Sequence, residues 1–275
     1  MHAQHRRFFT NFRERQLPLY MESIGFNQAQ EDFNRPSGYP CYHWLQTVRG
    51  EGEFTFGGTT LLLKEHSGVL LLPNEPHEYK PTMNTWETVY ITFMGSQANV
   101  ILSSLGLNQS SFYQWDQKSE LQNYASRVLD SIASDREVSE LDVSGDIYRF
   151  LILLKKHGQI NNLPSISHAI ERLTPVLSLM ERNYGDPNLG LERMGLEIRI
   201  SSRHLNTMFK QSFGMTAYAY LIMLRIRKAK ERMTGDSSVT VKDTAHYVGF
   251  RDVSHFVATF RRIEGVTPEQ YRTLY

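Results

Sequence analysis

Apolar residues in the first hundred positions fall into short alternating runs. Tyr42-His43-Trp44-Leu45-Gln46-Thr47-Val48 is aromatic and β-branched, and it stops at Arg49-Gly50-Glu51-Gly52. Glu53-Phe54-Thr55-Phe56 alternates, Gly57-Gly58 follows, and 59–63 turns apolar again. That order predicts two strands joined by a two-residue hairpin turn. Residues 69–72 form a short apolar run closed by Pro73-Asn74-Glu75-Pro76, and Val89-Tyr90-Ile91-Thr92-Phe93 alternates once more. Short strands with regular Gly and Pro punctuation, from about 17 to 95, predict a β-sandwich or barrel.

From about Ser119 the period becomes helical. Leu121, Tyr124, Val128 and Ile132 lie three and four apart, and Ile147, Phe150, Leu151 and Leu154 mark a second helix. Residues 158–167 are polar, with Asn161-Asn162 and Pro164, and read as a linker. The remainder is helical almost to the end.

That last third holds one module twice. Leu205-x3-Phe209-Lys210-x3-Gly214-Met215-Thr216 returns 51 residues later as Phe256-x3-Phe260-Arg261-x3-Gly265-Val266-Thr267. Two copies are too few for a solenoid, but they suit a tandem reader of a periodic object such as duplex DNA.

In the first copy, 191–196 predicts a short helix, 197–199 a turn, and Ser201 or Ser202 the N-cap of a second helix. Leu205, Met208 and Phe209 form its inner face, and Ser202, Arg203, Asn206, Thr207 and Lys210 its candidate DNA-contacting face. This is a helix-turn-helix pattern, whose second helix enters a major groove. Arg pairs with guanine and Asn with adenine through two bonds each, and Lys210 is placed for a phosphate. In the second copy, 244–248, Gly249 and the N-cap Asp252 precede a helix with Phe256, Phe260 and Ile263 inside. Its outer stripe is Val253, Ser254, Val257, Ala258 and Arg261, and the candidate DNA contacts are Arg251, Ser254, Val257 and Arg261. The first copy is therefore expected to carry more base readout, and the second more phosphate contact. Residues 217–233 predict a helix of roughly 25 Å between them, comparable with the ~34 Å of one DNA turn.

Charge agrees with this division. Residues 164–275 hold 16 Lys/Arg against 11 Asp/Glu, a net +5, whereas 1–163 hold 14 against 18, a net −4. Cys41 is the only cysteine, so no intrachain disulfide can form and a reducing compartment is expected. Met1-His2-Ala3-Gln4-His5-Arg6-Arg7 has no apolar stretch behind it, and no run approaches the roughly 18 apolar residues of a membrane helix. A cytoplasmic protein without a membrane partner is the expectation.

With Leu224-Arg225-Ile226-x2-Ala229-Lys230, Val248-Gly249-Phe250 and Gly265-Val266-Thr267-Pro268-x2-Tyr271-Arg272 added, 173–272 resembles the DNA-binding domain of AraC/XylS-type transcription regulators. The resemblance implies two helix-turn-helix units (about 191–213 and 240–263) joined by a helix and set into successive major grooves of double-stranded DNA. Gly195, Arg199 and Thr244 depart from the family's usual Ala, Gly and Ile. Were position 199 to need φ > 0, Arg would cost about 1 kcal/mol there. Arg35-Pro36-x-Gly38, Arg49-Gly50-x-Gly52, 72–79 and Trp86-Glu87-x3-Ile91-x-Phe93-x-Gly95 resemble the family's cupin-like sensor.

The implied fold class is an α+β multidomain chain: an N-terminal cupin-like β-barrel with dimerisation helices, then an all-α domain with two helix-turn-helix units. The expected divisions are 1–110 for the sensor, 111–160 for helical dimerisation, 161–170 for the linker and 171–275 for DNA binding. The resemblance puts a small effector, sugar-like in kind, at Arg49, Tyr79, Thr88 and Tyr90, with His43 as a further candidate, whereas His77, beside Pro76, reads as structural. It also implies a homodimer and activation with RNA polymerase as partner. A competing reading is a cupin enzyme fused to a helical domain. Metal cupins need His-x-His, however, and His43, His66 and His77 are scattered. No catalytic residue, metal or cofactor is assigned. A regulator whose barrel holds no small ligand is the third reading.

Overall fold

The computed structural model describes residues 5–8, 17–134, 140–160, 163–236 and 238–274. Met1-His2-Ala3-Gln4 of the N-terminal stretch and Asn161-Asn162 of the expected linker lie outside the described residues. The chain divides into two units, one running to Ser167 and one starting at His168.

The first unit is an antiparallel sheet of β1 His5–Phe8, β2 Tyr20–Asn27, β3 Phe33–Arg35, β4 Tyr42–Phe56, β5 Thr59–Lys64, β6 Ser67–Leu71, β7 His77–Met94 and β8 Ser111–Gln114. The order is β1-β2-β7-β4-β6-β8, with β3 beside β7 and β5 beside β4. The hairpin after Phe56 forms as expected. Gly57 and Gly58 have φ of 56° and 74°, the pair of positive values a type I′ turn requires.

The two strands read at 42–48 and 53–56 are one. β4 passes through the Arg49-Gly50-Glu51-Gly52 segment without ending, and its register against β7 shifts at Thr47/Arg49 and at Gly50/Gly52. Each shift is a bulge that bends the strand and turns its faces. Gly50 sits at φ 79°, and a Cβ there would lie 2.0 Å from the Thr85 carbonyl oxygen, so the bend needs glycine.

Alternation along β4 feeds two cores. Tyr42 and Trp44 join Ile24, Ile91 and Phe93 on one face. Leu45 and Phe54 join Leu63, Val69, Tyr79 and Trp86 on the other. The first face is covered by α1 Ala98–Leu105, a 3-10 turn at Glu120–Asn123, α2 Tyr124–Ser134 and α3 Glu140–His157. Leu121, Val128, Ile132, Ile147, Phe150, Leu151 and Leu154 are all buried there, as their spacing predicted. α1 was not legible in the sequence. β8 lies inside the segment expected to be helical, because its register with β6 is a long-range pairing.

The second unit holds α4 Ile166–Asn183 from its third residue on, then α5 Leu191–Glu197, α6 Ser202–Phe213, α7 Ala217–Gly235, α8 Val241–Tyr247, α9 Val253–Glu264 and α10 Pro268–Leu274. Each module has its own core. Leu205 and Phe209 pack with Leu173, Met180, Met194 and Leu221. Phe256 and Phe260 pack with Ile226, Ala229, Met233 and Ala245. α7 contributes to both, Leu221 and Leu224 to the first and Ile222 and Ile226 to the second. Its Arg225 is buried and donates to the carbonyls of Tyr184 and Asp186, each at 2.8 Å. These bonds satisfy the desolvated guanidinium and fix the segment after α4. No helix among the described residues is long and apolar enough to cross a membrane.

Candidate functional site

α6 and α9 are built alike. Ser201 Oγ accepts the His204 N–H at 3.3 Å, and Asp252 Oδ1 accepts the His255 N–H at 2.7 Å. Each side chain satisfies one of the N–H groups that a helix start leaves open. Both helices end on left-handed glycines, Gly214 at φ 72° and Gly265 at φ 80°. Of the two N-cap candidates in the first copy, Ser201 is the cap, and Ser202 is half-buried in the first turn of α6.

The exposed face of α6 carries Arg203, His204, Thr207, Lys210 and Gln211. At an offset of 51 the exposed face of α9 carries Ser254, His255, Ala258, Arg261 and Arg262. Arg203, Lys210, Arg261 and Arg262 make no ion pair among the described residues. Such unneutralised cations are what a polyanion's phosphates displace counterions to meet. His204, Gln211, His255 and Arg262 were missed in the sequence. They lie one position beyond the stripe read there, and the width of the exposed face depends on what packs beside each helix.

Two sequence candidates are placed differently. Asn206 is half-buried, and its Oδ1 accepts the Ala217 N–H at 3.1 Å, so it serves the start of α7 and is not on the outer face. Val257 is half-buried and packs on the second core, as Val253 does. Asn206 is engaged by the start of α7 and Val257 by the second core, so each helix offers less outer face than it does in isolation. Arg251 is exposed and donates to Asn188 Oδ1.

The turns differ by one residue. Arg199 takes φ 56° two positions before its N-cap, whereas Gly249 takes φ 82° three positions before Asp252. Up to that point the turns match: the Ile200 N–H donates to the Gly195 carbonyl and the Phe250 N–H to the Ala245 carbonyl, each at 2.9 Å. A Cβ at Gly195 would lie 2.5 Å from the Ile200 carbonyl oxygen, which accounts for glycine there.

The inner face of the sheet opens on a cavity of about 90 Å³, lined by Ser23, Asn27, Phe33, Arg35, Tyr39, His43, Tyr79, Tyr90 and Thr92. Three expected effector positions, His43, Tyr79 and Tyr90, meet there although they are far apart in sequence. Arg49 does not join them. His43, Leu45 and Thr47 alternate inward, and a regular strand would put residue 49 inward too. The bulge at Thr47/Arg49 reverses the alternation and leaves Arg49 exposed. Thr88 is buried but does not line the cavity. Its hydroxyl donates to Gln30 Oε1 at 2.7 Å and accepts from Asn27 Nδ2 at 3.3 Å, so it holds the cavity residue Asn27 from behind.

The cation in the cavity is Arg35. Its guanidinium carbon lies 4.6 Å from the Tyr39 ring centre and 5.4 Å from that of Phe33. The Arg35-Pro36-x-Gly38 motif was visible in the sequence, but its cavity role depends on β3 pairing Arg35 with His77 of β7. Behind the lining, Glu22 accepts the Tyr39 hydroxyl at 3.1 Å and the Thr92 hydroxyl at 2.6 Å. Burial, reinforced by the Glu22 carboxylate, pushes the Tyr39 hydroxyl up to about 12. Burial, His77 and Arg35 together hold His43 well below its ordinary range, so it is neutral. His77 is buried and stacks on Phe54 with ring centres 5.8 Å apart, and its Nδ1–H donates to the Glu75 carbonyl at 2.7 Å. Among the described residues no three His, Cys, Asp or Glu side chains converge as metal ligands.

Comparison with known proteins addresses both units. Residues 19–151 match the AraC-like ligand binding domain, and residues 196–273 match a helix-turn-helix domain. The Msm operon regulatory protein of Streptococcus mutans is 20% identical over 82% of this chain and 81% of its own length. The lactose operon transcription activator of Staphylococcus xylosus is 22% identical over 82% and 81%. The HTH-type transcriptional activator RhaS of Escherichia coli O157:H7 is 31% identical over 45% of this chain and 43% of its own length. With both characteristic domains present in this order, the chain belongs to the AraC-type family of transcription regulators.

Proposed function

We propose that this chain is a sequence-specific transcription activator that reads DNA with α6 and α9 and responds to a small sugar-like effector held in the sheet cavity. The observation that carries the reading is the pair of capped helices, each with one face in a core and the other bearing cations without ion-pair partners. Arg203 and Thr207, with His204 and Gln211 beside them, are the base readers, helped by Ser254 in the second module. Ser202, Lys210, Arg251 and Arg261 are the backbone contacts. α7 has 19 residues, about 28 Å at 1.5 Å per residue, a spacer of the order of one DNA turn. The first module is the discriminating half, because Ala258 stands where Thr207 does and Ser254 where Arg203 does.

Two of the relatives are named for operons and one of these for lactose, which supports a carbohydrate-related effector. Tyr79, Tyr90 and His43 offer ring faces and hydrogen bonds to such a molecule. In this reading α3 pairs two copies. Leu141, Gly145, Tyr148 and Ile152, spaced four, three and four apart, form its outward stripe, with Leu141 65% and Tyr148 49% exposed. RNA polymerase is the partner through which activation acts. The sensor is proposed at 1–110 and the pairing helices at 111–160; the linker expected at 161–170 can extend no further than 165, because α4 begins at Ile166, and the reader follows it.

Selection of bound sequences from a random duplex pool tests this. The intact chain is expected to enrich a motif, and Arg203→Ala to relax one position of it at a cost of about 1–3 kcal/mol. An unchanged motif with Arg203→Ala overturns the assignment of the reading face, and no enrichment overturns sequence-specific binding.

A further inference from the structure

We infer that Arg199, in the turn of the first module, is a contact to the DNA backbone, and that its left-handed conformation is kept for that contact. This rests on the reading of α6 and α9 as the DNA-reading helices.

The duplication supplies an internal comparison. The Arg199 N–H donates to the Leu196 carbonyl at 3.2 Å and the Gly249 N–H to the His246 carbonyl at 3.0 Å, so the two residues hold the same place, 50 positions apart. Both are left-handed, at φ 56° and 82°. Glycine adopts that conformation without strain, and arginine does not. Folding alone therefore favours glycine at 199, as the chain itself uses at 249. Strain held at a residue with a side chain points to a use for that side chain. Here the side chain is exposed and makes no ion pair or hydrogen bond among the described residues, although Glu197 lies two positions away.

The second module carries the same charge by another route. A Cβ at Gly249 would lie 2.6 Å from the Tyr184 carbonyl oxygen and 2.9 Å from the Arg225 guanidinium, so no side chain fits there. That turn has one more residue before its N-cap, and the additional residue is an exposed arginine, Arg251. Each turn thus presents one guanidinium just ahead of its reading helix, Arg199 two residues before Ser201 and Arg251 one residue before Asp252. In a helix-turn-helix the first helix crosses the sugar–phosphate backbone and the second enters the groove, so the turn between them passes the phosphates. An unpaired guanidinium at that point meets phosphate oxygens with two-bond geometry. It reads no base, so it adds affinity to every sequence alike.

Affinities of the full chain for two unrelated duplexes across a salt series, with thermal melting of the same samples, test this. Arg199→Gly is expected to melt higher than the parent and yet bind both duplexes about fivefold or more weakly near 0.1 M salt, with the slope of log K against log salt reduced by about 0.9. Arg199→Lys keeps the charge and is expected to keep most of the slope. Arg199→Asn, uncharged and tolerant of the left-handed conformation, is expected to bind as Arg199→Gly does. If Arg199→Gly keeps the parent's affinity and slope while Lys210→Ala lowers both, the contact is overturned and α6 stays on the DNA. If neither variant changes binding, the placement of α6 on the DNA is overturned with it. A loss confined to one duplex overturns the backbone role, and a lower melting temperature for Arg199→Gly overturns the strain.

Discussion

Asn206 Oδ1 accepts the N–H of Ala217 at 3.1 Å, and 51 residues further on Val257 and Pro268 occupy the same two places. Ala217 opens α7 and Pro268 opens α10. The first residue of a helix has an N–H with no intrahelical partner, and proline has none to satisfy. The polar acceptor and the N–H are thus present together or absent together. The difference between Asn206 and Val257, read in the sequence as a difference in DNA readout, is matched by a difference in how the following helix starts.

Asn206→Val should destabilise the second unit by about 1 kcal/mol, since it strands a half-buried N–H. Adding Ala217→Pro should restore most of that loss, and the enriched DNA motif should stay the same in both variants. Denaturant melting together with sequence selection checks this. A motif altered by Asn206→Val alone would return Asn206 to the reading face.

Lys210→Ala and Arg261→Ala should weaken binding to all duplexes alike. Each should reduce the slope of log K against log salt by about 0.9, the release of one phosphate's counterion. Affinities measured on two unrelated duplexes across a salt series decide it, and a duplex-dependent loss counts against a phosphate role.

The turn of the first module holds two linked backbone features. Arg199→Gly should stabilise the unit by up to about 1 kcal/mol, because φ 56° is strained for a side-chain-bearing residue. Gly195→Ala should destabilise it by about 1–3 kcal/mol, because the new Cβ meets the Ile200 carbonyl oxygen at 2.5 Å and backbone must move. Equilibrium unfolding of both variants is the measurement, and opposite signs are the expected result.

Acid should loosen the unliganded sensor. His43 is held neutral, with its affinity for protons depressed by burial, by His77 and by Arg35. In the unfolded chain it titrates near 6.5, so below that pH the unfolded state takes up a proton that the folded state refuses. Stability from this group is complete above 6.5 and falls as pH drops below it, by at most about 1.4 kcal/mol per pH unit. His77 is depressed in the same direction. Unfolding free energies measured between pH 7.5 and 5.5, roughly the span histidine covers, should show this slope, and His43→Phe should flatten it.

The sequence determined the two-part architecture, the helical repeat and its caps, because these depend on local spacing and on residues a few positions apart. Ser201, Asp252, Gly214 and Gly265 are legible as helix ends from their own neighbourhoods. It also put His43, Tyr79 and Tyr90 in one group, although only through resemblance. What it could not determine depended on pairing over long distances. The bulge at Thr47/Arg49 is set by register with β7, and that shift turns Arg49 away from the cavity and leaves the place to Arg35, which reaches it through β3. Likewise, Asn206 looks like a base reader on an isolated helix and becomes a cap only when α7 begins beside it. Periodicity tells which side of an element is polar. Only the packed structure decides whether that side faces solvent, a cavity or an open N–H.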